Sequence, residues 1–329
     1  MSLLPLTLAA VNSDRFRALE NGEVRAEGID INFISLPVEE IFYRQLKFEE
    51  FDISEMSLSS YVLTLDQDDP PFVAIPVFPS RYFRHQSMFI NKRSGIRSPA
   101  DLAGKRIGIP EYQITAAVWQ RGILEDDYGV APRDVKYFTG GVESVGRHEK
   151  VSIDLPADIS LQAIGEDQTL SSMLSAGELD AVLSANVPPC FYTDDHVTRL
   201  FPDYKTVEKE YFSRTAIFPI MHVVAIKRGV LKDNPWVARS LMKAFDESLR
   251  IAKEELMYRS SLKTMLPWLA DHVEETVSAI GRDFWTYGIE DNRHVLDTFL
   301  RYSHQQGLAQ KLRTADEIFD PSAASSFVI

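Results

Sequence analysis

The chain has 329 residues, 45% hydrophobic and 25% charged, a globular composition that excludes collagen-like, fibrous and disordered readings and suffices for two packed lobes or one large α/β domain. Its formal net charge is −13, from 35 basic and 48 acidic residues with no basic run, so no nucleic-acid partner is expected and an anionic ligand needs a local basic pocket. Cys190 is the only cysteine, which excludes an internal disulfide and a cysteine-based zinc site.

The opening MSLLPLTLAAVNSDRF lacks a leading Lys or Arg, is interrupted by Pro5, and alternates at Leu4, Leu6, Leu8 and Ala10. That pattern reads as a strand over Leu6–Val11 and not as a secretion signal. No stretch approaches the roughly 20 apolar residues of a membrane span, and no cysteine near the start can carry a lipid. A cytoplasmic protein with no membrane partner is expected. Further strands are predicted at Ile29–Ser35, Phe51–Met56, Phe72–Phe78, His85–Asn91 and Arg106–Ile109, with helices at Val38–Lys47, from Ser57 or Ser59 onward, and from about Ile114 to Tyr128, where Gly129 and Pro132 stop it. The repeated βα alternation argues for α/β architecture with mainly parallel sheets.

The second half continues with an apolar strand, Phe218–Lys227, and helical spacing over Trp236–Leu256, Val273–Tyr287 and Arg293–Gln306. The stripe Leu241, Phe245, Leu249, Ala252 reads as core. An internal echo stands out. A helix leads into Glu50-Phe51-Asp52-Ile53-Ser54 and on to Ser57, and another leads into Glu178-Leu179-Asp180-Ala181-Val182 and on to Ser184. Two copies at this separation point to two similar lobes and not to a solenoid, whose repeats run about 20–50 residues.

SPADLAGKRIGIP before a helix, then SSMLSAGELDAVLS, resemble the second lobe of the type II periplasmic-binding-protein-like superfamily. RYFRHQSMFIN, GIPEYQITAAVWQRGIL, RTAIFPIMHVVAIK and NPWVARSLMKAF look more like its enzymatic branch, the 4,5-dihydroxyphthalate decarboxylases. The resemblance implies a two-lobed α/β fold with a hinged inter-lobe cleft and C-terminal helices. Residues 1–92 and 213–329 are expected to form lobe 1 with those helices, and residues 93–212 lobe 2. Hinge strands are expected near His85–Lys92 and before Phe218. Ligands of open α/β sheets bind beyond the carboxyl ends of strands, here Ser57–Ser59, Glu111–Thr115 and Ser184–Val187.

Arg81, Arg84 and His85 lie within five residues. An arginine fork holds a carboxylate by two parallel bonds, and period-two spacing puts Arg81 and His85 on one face if the strand starts that early. The alternative is a surface loop with solvated arginines. His222 shares a face with Ile220, Val224 and Ile226, where the alternative to a catalyst is a satisfied core histidine. Glu111, just before a helix, is a candidate proton donor, or else a cap or a solvated acid. Arg214 and Thr215 precede the apolar strand. No His-x-x-x-His, His-Glu-x-x-His, P-loop or Gly-x-Ser-x-Gly motif occurs, so no metal ligands are assigned.

An aryl carboxylate leaves as CO₂ when its ring carbon gains a proton while a para hydroxyl pushes electrons in. An acid and a base near neutrality suffice. The expected catalytic set is therefore His85, His222 and Glu111. Arg81, Arg84 and Arg214 are expected to bind carboxylate, with Ser57, Ser59, Thr115 and Thr215 as further substrate contacts. The expected activity is cofactor-independent decarboxylation of a dihydroxylated aromatic dicarboxylate. No organic cofactor is required, and a divalent metal and homo-oligomerisation are left open. The alternatives are a solute-binding protein for a small anion or aromatic acid, serving an ABC-type transporter, or a non-decarboxylating enzyme on the same fold.

Overall fold

The computed structural model describes residues 2–324, which fall into two units. The first contains the chain up to Arg81, Ile220–Asp297 and the part from Arg313 onward; the second contains Tyr82–Pro219 and Thr298–Leu312. In chain order the strands are β1 (Leu4–Ala10), β2 (Ile29–Ser35), β3 (Ile53–Ser57) and β4 (Phe72–Arg81) of the first unit. β5 (Met88–Asn91), β6 (Arg106–Ile109), β7 (Lys136–Thr139), β8 (Ser160–Ala163), β9 (Ala181–Leu183) and β10 (Val197–Arg199) follow in the second, and β11 (Ile220–Lys227) returns to the first.

The sheet of the first unit has the order β2-β1-β3-β11-β4. β1 runs parallel to β2 and β3, and β11 runs antiparallel to β3 and β4. Helices at Asp14–Glu20 and Val38–Phe48 make the crossovers. The second of these buries Ile41, Phe42 and Gln45, with Glu39 and Glu40 in its first turn and Lys47 in its last, the charge order a helix dipole favours. The stripe Leu241, Phe245, Leu249, Ala252 on the helix Val237–Met257 is buried throughout. The sheet of the second unit has the order β10-β5-β9-β6-β7-β8. No helix among the described residues is long and apolar enough to cross a membrane.

The sequence echo has a physical counterpart in each unit. The helix Val38–Phe48 ends at Glu49 (φ 48°), and the helix Leu170–Ala176 ends at Gly177 (φ 78°), both left-handed. Three residues later an aspartate precedes a strand. Asp52 Oδ2 accepts the Thr7 amide at 2.9 Å, and Asp180 Oδ2 accepts the Arg106 amide at 2.9 Å. Each aspartate thus fastens the strand that runs parallel beside its own, β1 beside β3 and β6 beside β9.

Several expected boundaries shift. Residues 82–92 belong with the second unit because β5 pairs with β9 and β10. Residues 213–219 belong there too. Residues 298–312 leave the first unit because Phe299 and Tyr302 pack on Trp119, and Gln306 accepts from Arg121 Nε at 2.8 Å. The chain therefore crosses four times, where two crossings were expected. The helix expected at Val273–Tyr287 is Leu269–Ile280, stopped by Gly281 at φ 113°. Residues 285–288 instead satisfy carbonyls of β4.

Candidate functional site

β4 carries Pro76 and Pro79, which donate no backbone hydrogen bond, and such residues are confined to edge strands and bulges. β4 is both an edge strand and bulged. Its pairing with β11 jumps from Ile75 opposite Val224 to Ser80 opposite His222, so residues 76–79 face Val223 alone. The carbonyls thrown out of the ladder find other donors. Pro76 O accepts from Gly288 N at 2.8 Å, Phe78 O from Trp285 Nε1 at 2.9 Å, and Pro79 O from Arg15 Nε at 2.7 Å. Bulges re-aim side chains and recur beside active sites.

The bulge lies opposite Val223, next to His222 on β11. On its other side β11 pairs with β3, His222 opposite Ser57 and Val224 opposite Glu55, which places His222 and Glu55 diagonally on one face. His222 Nδ1 lies 2.6 Å from Glu55 Oε1. The Glu55 side chain is 1% exposed, and its Oε2 accepts the Val11 amide at 3.1 Å. An ionised carboxylate only accepts, so Nδ1 carries a proton and Nε2 is the free end of the ring. The Phe42 ring meets the imidazole edge-on, with centroids 5.0 Å apart. The His222 side chain remains 18% exposed. A half-buried imidazole and a buried acid that orients it are together the parts of a proton-transfer dyad.

The other expected residues of this unit lie nearby in different roles. Ser57 faces His222 across the strands, and its Oγ caps the helix Leu58–Thr64 by accepting Ser60 N at 3.4 Å. Ser59 is fully buried on that helix. Arg81 ends β4 and donates to Thr286 O at 3.0 Å and to Asn292 Oδ1, while burial pushes its pKa down to about 9. These contacts fasten the segment 286–292.

In the second unit, Glu111 follows β6 and is fully buried. It accepts from Arg147 Nη2 at 2.6 Å, from the Lys150 amide at 3.0 Å and from Lys150 Nζ. It is a neutralised carboxylate that straps the 147–150 segment. Thr115, buried, opens the helix Thr115–Tyr128. Arg214 pairs with Asp127 at 2.6 Å, with more than half of its side chain exposed. Thr215 Oγ1 closes the end of its own helix on Tyr211 O. Arg84 is buried over the Tyr82 ring, and burial pushes its pKa down to about 10.

His85 is not on a strand with Arg81. β4 ends at Arg81, and His85 starts a 3₁₀ turn, His85–Ser87, in the other unit. Its ring is fully buried, 5.3 Å from the Phe201 ring and 5.0 Å from that of Tyr211. Neither ring nitrogen has a hydrogen-bond partner among the described residues. Burial, with the Arg214 charge adding to it, pushes its pKa down to about 4. The folded-state value lies below the unfolded one, so the stability of the neutral ring is complete above about pH 6.5 and is lost as pH falls toward 4. His85→Phe should flatten this part of the stability–pH curve in urea melts, whereas an unchanged acid limb would place the titration elsewhere.

Sequence reasoning missed Glu55. The signal available was an acidic residue inside a strand, Ile53-Ser54-Glu55-Met56-Ser57, in which every position is buried. Among the described residues no group of three or more His, Cys, Asp or Glu side chains is placed to hold a metal ion.

Comparison with known proteins fits this architecture. Residues 8–180 match the family model described as ABC transporter, phosphonate, periplasmic substrate-binding protein. A 4,5-dihydroxyphthalate decarboxylase of Comamonas testosteroni is 41% identical over 330 residues, covering 100% of both chains. One of Pseudomonas putida is 45% identical over 214 residues, 64% of this chain and 83% of that one. Among solved structures, a putative periplasmic sulfonate-binding protein of Methylobacillus flagellatus superposes with a TM-score of 0.55 at 13% identity, over 98% of this chain and 93% of that one. The aliphatic sulphonate-binding protein of Escherichia coli gives 0.52 at 12%, over 98% and 99%. At such identities the structural likeness speaks for the fold alone. With end-to-end identity to one decarboxylase and the two-sheet α/β fold of periplasmic binding proteins, the chain belongs to the 4,5-dihydroxyphthalate decarboxylase family within the type II periplasmic-binding-protein-like superfamily.

Proposed function

We propose that the chain decarboxylates 4,5-dihydroxyphthalate, or a dihydroxylated aromatic dicarboxylate of the same kind, without a cofactor, and that His222 transfers the proton. The observation that carries the assignment to His222 is its 2.6 Å contact with the buried Glu55 carboxylate. The imidazolium gives its Nε2 proton to the ring carbon that bears the carboxylate, as the para hydroxyl gives its proton to solvent water and pushes electrons into the ring. The carbon–carboxylate bond then breaks, its electron pair restores aromaticity, and CO₂ leaves. The phenolic oxygen regains a proton, so one proton is consumed for each CO₂ released. The buried Glu55 carboxylate stabilises the imidazolium and holds its ring in one orientation. The hydroxyl of Ser57, opposite His222 across the strands, is the proposed contact for a substrate oxygen.

Incubation with 4,5-dihydroxyphthalate should yield equal amounts of CO₂ and 3,4-dihydroxybenzoate. The rate should be unchanged after treatment with a chelator and dialysis. A loss of rate restored by Mg²⁺ or Mn²⁺ would overturn the cofactor-independent part of the proposal. Binding of the substrate without turnover would leave a solute-binding protein, the reading that the description of the matching family model favours.

A further inference from the structure

We propose that Arg15 grips the retained carboxylate of the substrate beside His222, an inference that rests on the reading of this site as one for an aromatic dicarboxylate. Arg15 lies near the start of the helix Asp14–Glu20. Its guanidinium is held from three sides. Nε donates to Pro79 O at 2.7 Å, Nη1 donates to Asp14 Oδ1 at 2.6 Å, and the plane lies over the Trp285 ring at 4.7 Å. Nη2 has no partner among the described residues. The side chain is 22% exposed, so its head is fixed by the protein yet reachable. A guanidinium stacked on an aromatic ring and tied at two of its nitrogens is pre-organised, and ordering it on binding costs little.

Its place in the sheet links it to the dyad. Pro79 is the neighbour of Ser80, and Ser80 is the partner of His222 across β4 and β11. One residue along a strand and one strand spacing across therefore separate the guanidinium's anchor from His222, about 6 Å in a straight line. The retained carboxylate is ortho to the carbon that takes the proton, so two groups this close together can engage both at once. The Val11 amide, four residues before Arg15, already binds Glu55, so one loop serves both groups. The Tyr287 hydroxyl is buried with no hydrogen-bond partner among the described residues. Burial pushes its pKa up; the charges of Arg15 and Arg81 pull it down, and those of Asp246 and Glu55 raise it. Arg81 is already committed to Thr286 and Asn292, whereas Arg15 keeps an unused donor. Asp14 takes up part of the charge of Arg15, and the carboxylate of an incoming ligand takes up the rest.

The test titrates wild type, Arg15→Gln and Arg15→Lys with phthalate, which carries both carboxylates and no hydroxyl, by calorimetry. Melting temperatures and steady-state kinetics on 4,5-dihydroxyphthalate accompany the titrations. Loss of a charge-assisted bond should weaken phthalate binding by about 10–100-fold in Arg15→Gln and raise KM by a similar factor, with a smaller change in kcat. Arg15→Lys keeps the charge without the fork and should fall between. A lower melting temperature with unchanged phthalate affinity would show that Arg15 only fastens Pro79, and would overturn the proposal. So would wild type failing to bind phthalate. If Arg15→Gln does not fold, unchanged affinity in Arg15→Lys overturns it equally. Arg15-dependent phthalate binding without turnover of 4,5-dihydroxyphthalate would sink the decarboxylase reading and leave Arg15 as a carboxylate ligand. Turnover with an unaltered KM in Arg15→Gln would sink Arg15 alone.

Discussion

His222→Gln is expected to lower kcat on 4,5-dihydroxyphthalate by about 10²–10⁴-fold while leaving KM within a few-fold, because it removes a proton-transfer group and little binding surface. Glu55→Gln keeps the shape of the strand and should cost kcat by a comparable order. The amide no longer stabilises the imidazolium, and it can present its NH₂ to Nδ1, which favours the wrong tautomer. Since the two side chains act as one unit at 2.6 Å, the double variant should be scarcely slower than His222→Gln alone. Steady-state kinetics on the four proteins measure this coupling. Full kcat in His222→Gln would move proton transfer to another residue. Additive losses would mean that Glu55 acts independently of the imidazole.

The second large effect is on stability. An added Cβ at Gly122, in the middle of the helix Thr115–Tyr128, would sit 2.2–2.4 Å from three atoms of the Tyr302 ring. That ring has no easy way out. Its hydroxyl donates to Asp126 Oδ2 at 2.6 Å, Trp119 meets it edge-on at 5.6 Å, and the Arg301 guanidinium lies over it at 4.6 Å. Gly122→Ala should therefore destabilise the protein by about 3 kcal/mol, overpacking outweighing the roughly 1 kcal/mol that alanine gains over glycine in a helix. The melting point should fall by about 4 °C. In a Tyr302→Ala background the clash is gone and the sign should reverse, with Gly122→Ala neutral or stabilising. Thermal melts of the four combinations decide it. A single variant that melts with wild type would show that the ring has room to move.

The parts of the fold that sequence reveals are those fixed by local pattern. Ile29–Ser35 and Arg106–Ile109 are strands over the predicted residues, and the echo around Asp52 and Asp180 marks equivalent strand entries in both units. Patterns fail where distant partners decide. Residues 281–287 continue a helical spacing, yet Gly281 ends the helix and Trp285 turns to the Phe78 carbonyl that the β4 bulge exposes. The site follows the same division. His222 is visible as a polar residue in an apolar strand. Glu55 is 167 residues away in sequence, and only strand pairing brings the two together. Arg15 reads as an ordinary helix charge until Pro79 and Trp285 are seen around it. His85 looks as reactive as His222 on paper, and what separates them is the aromatic enclosure formed by Phe201 and Tyr211.

The two prolines of β4 have a consequence beyond the site. The strand lies at the outer rim of the five-stranded sheet, the position where an incoming chain adds most readily. With two amides missing and its exposed carbonyls already taken by Gly288, Trp285 and Arg15, that rim offers no continuous template for strand addition. The distortion beside the histidine thus also guards the chain against fibril-like growth along this border.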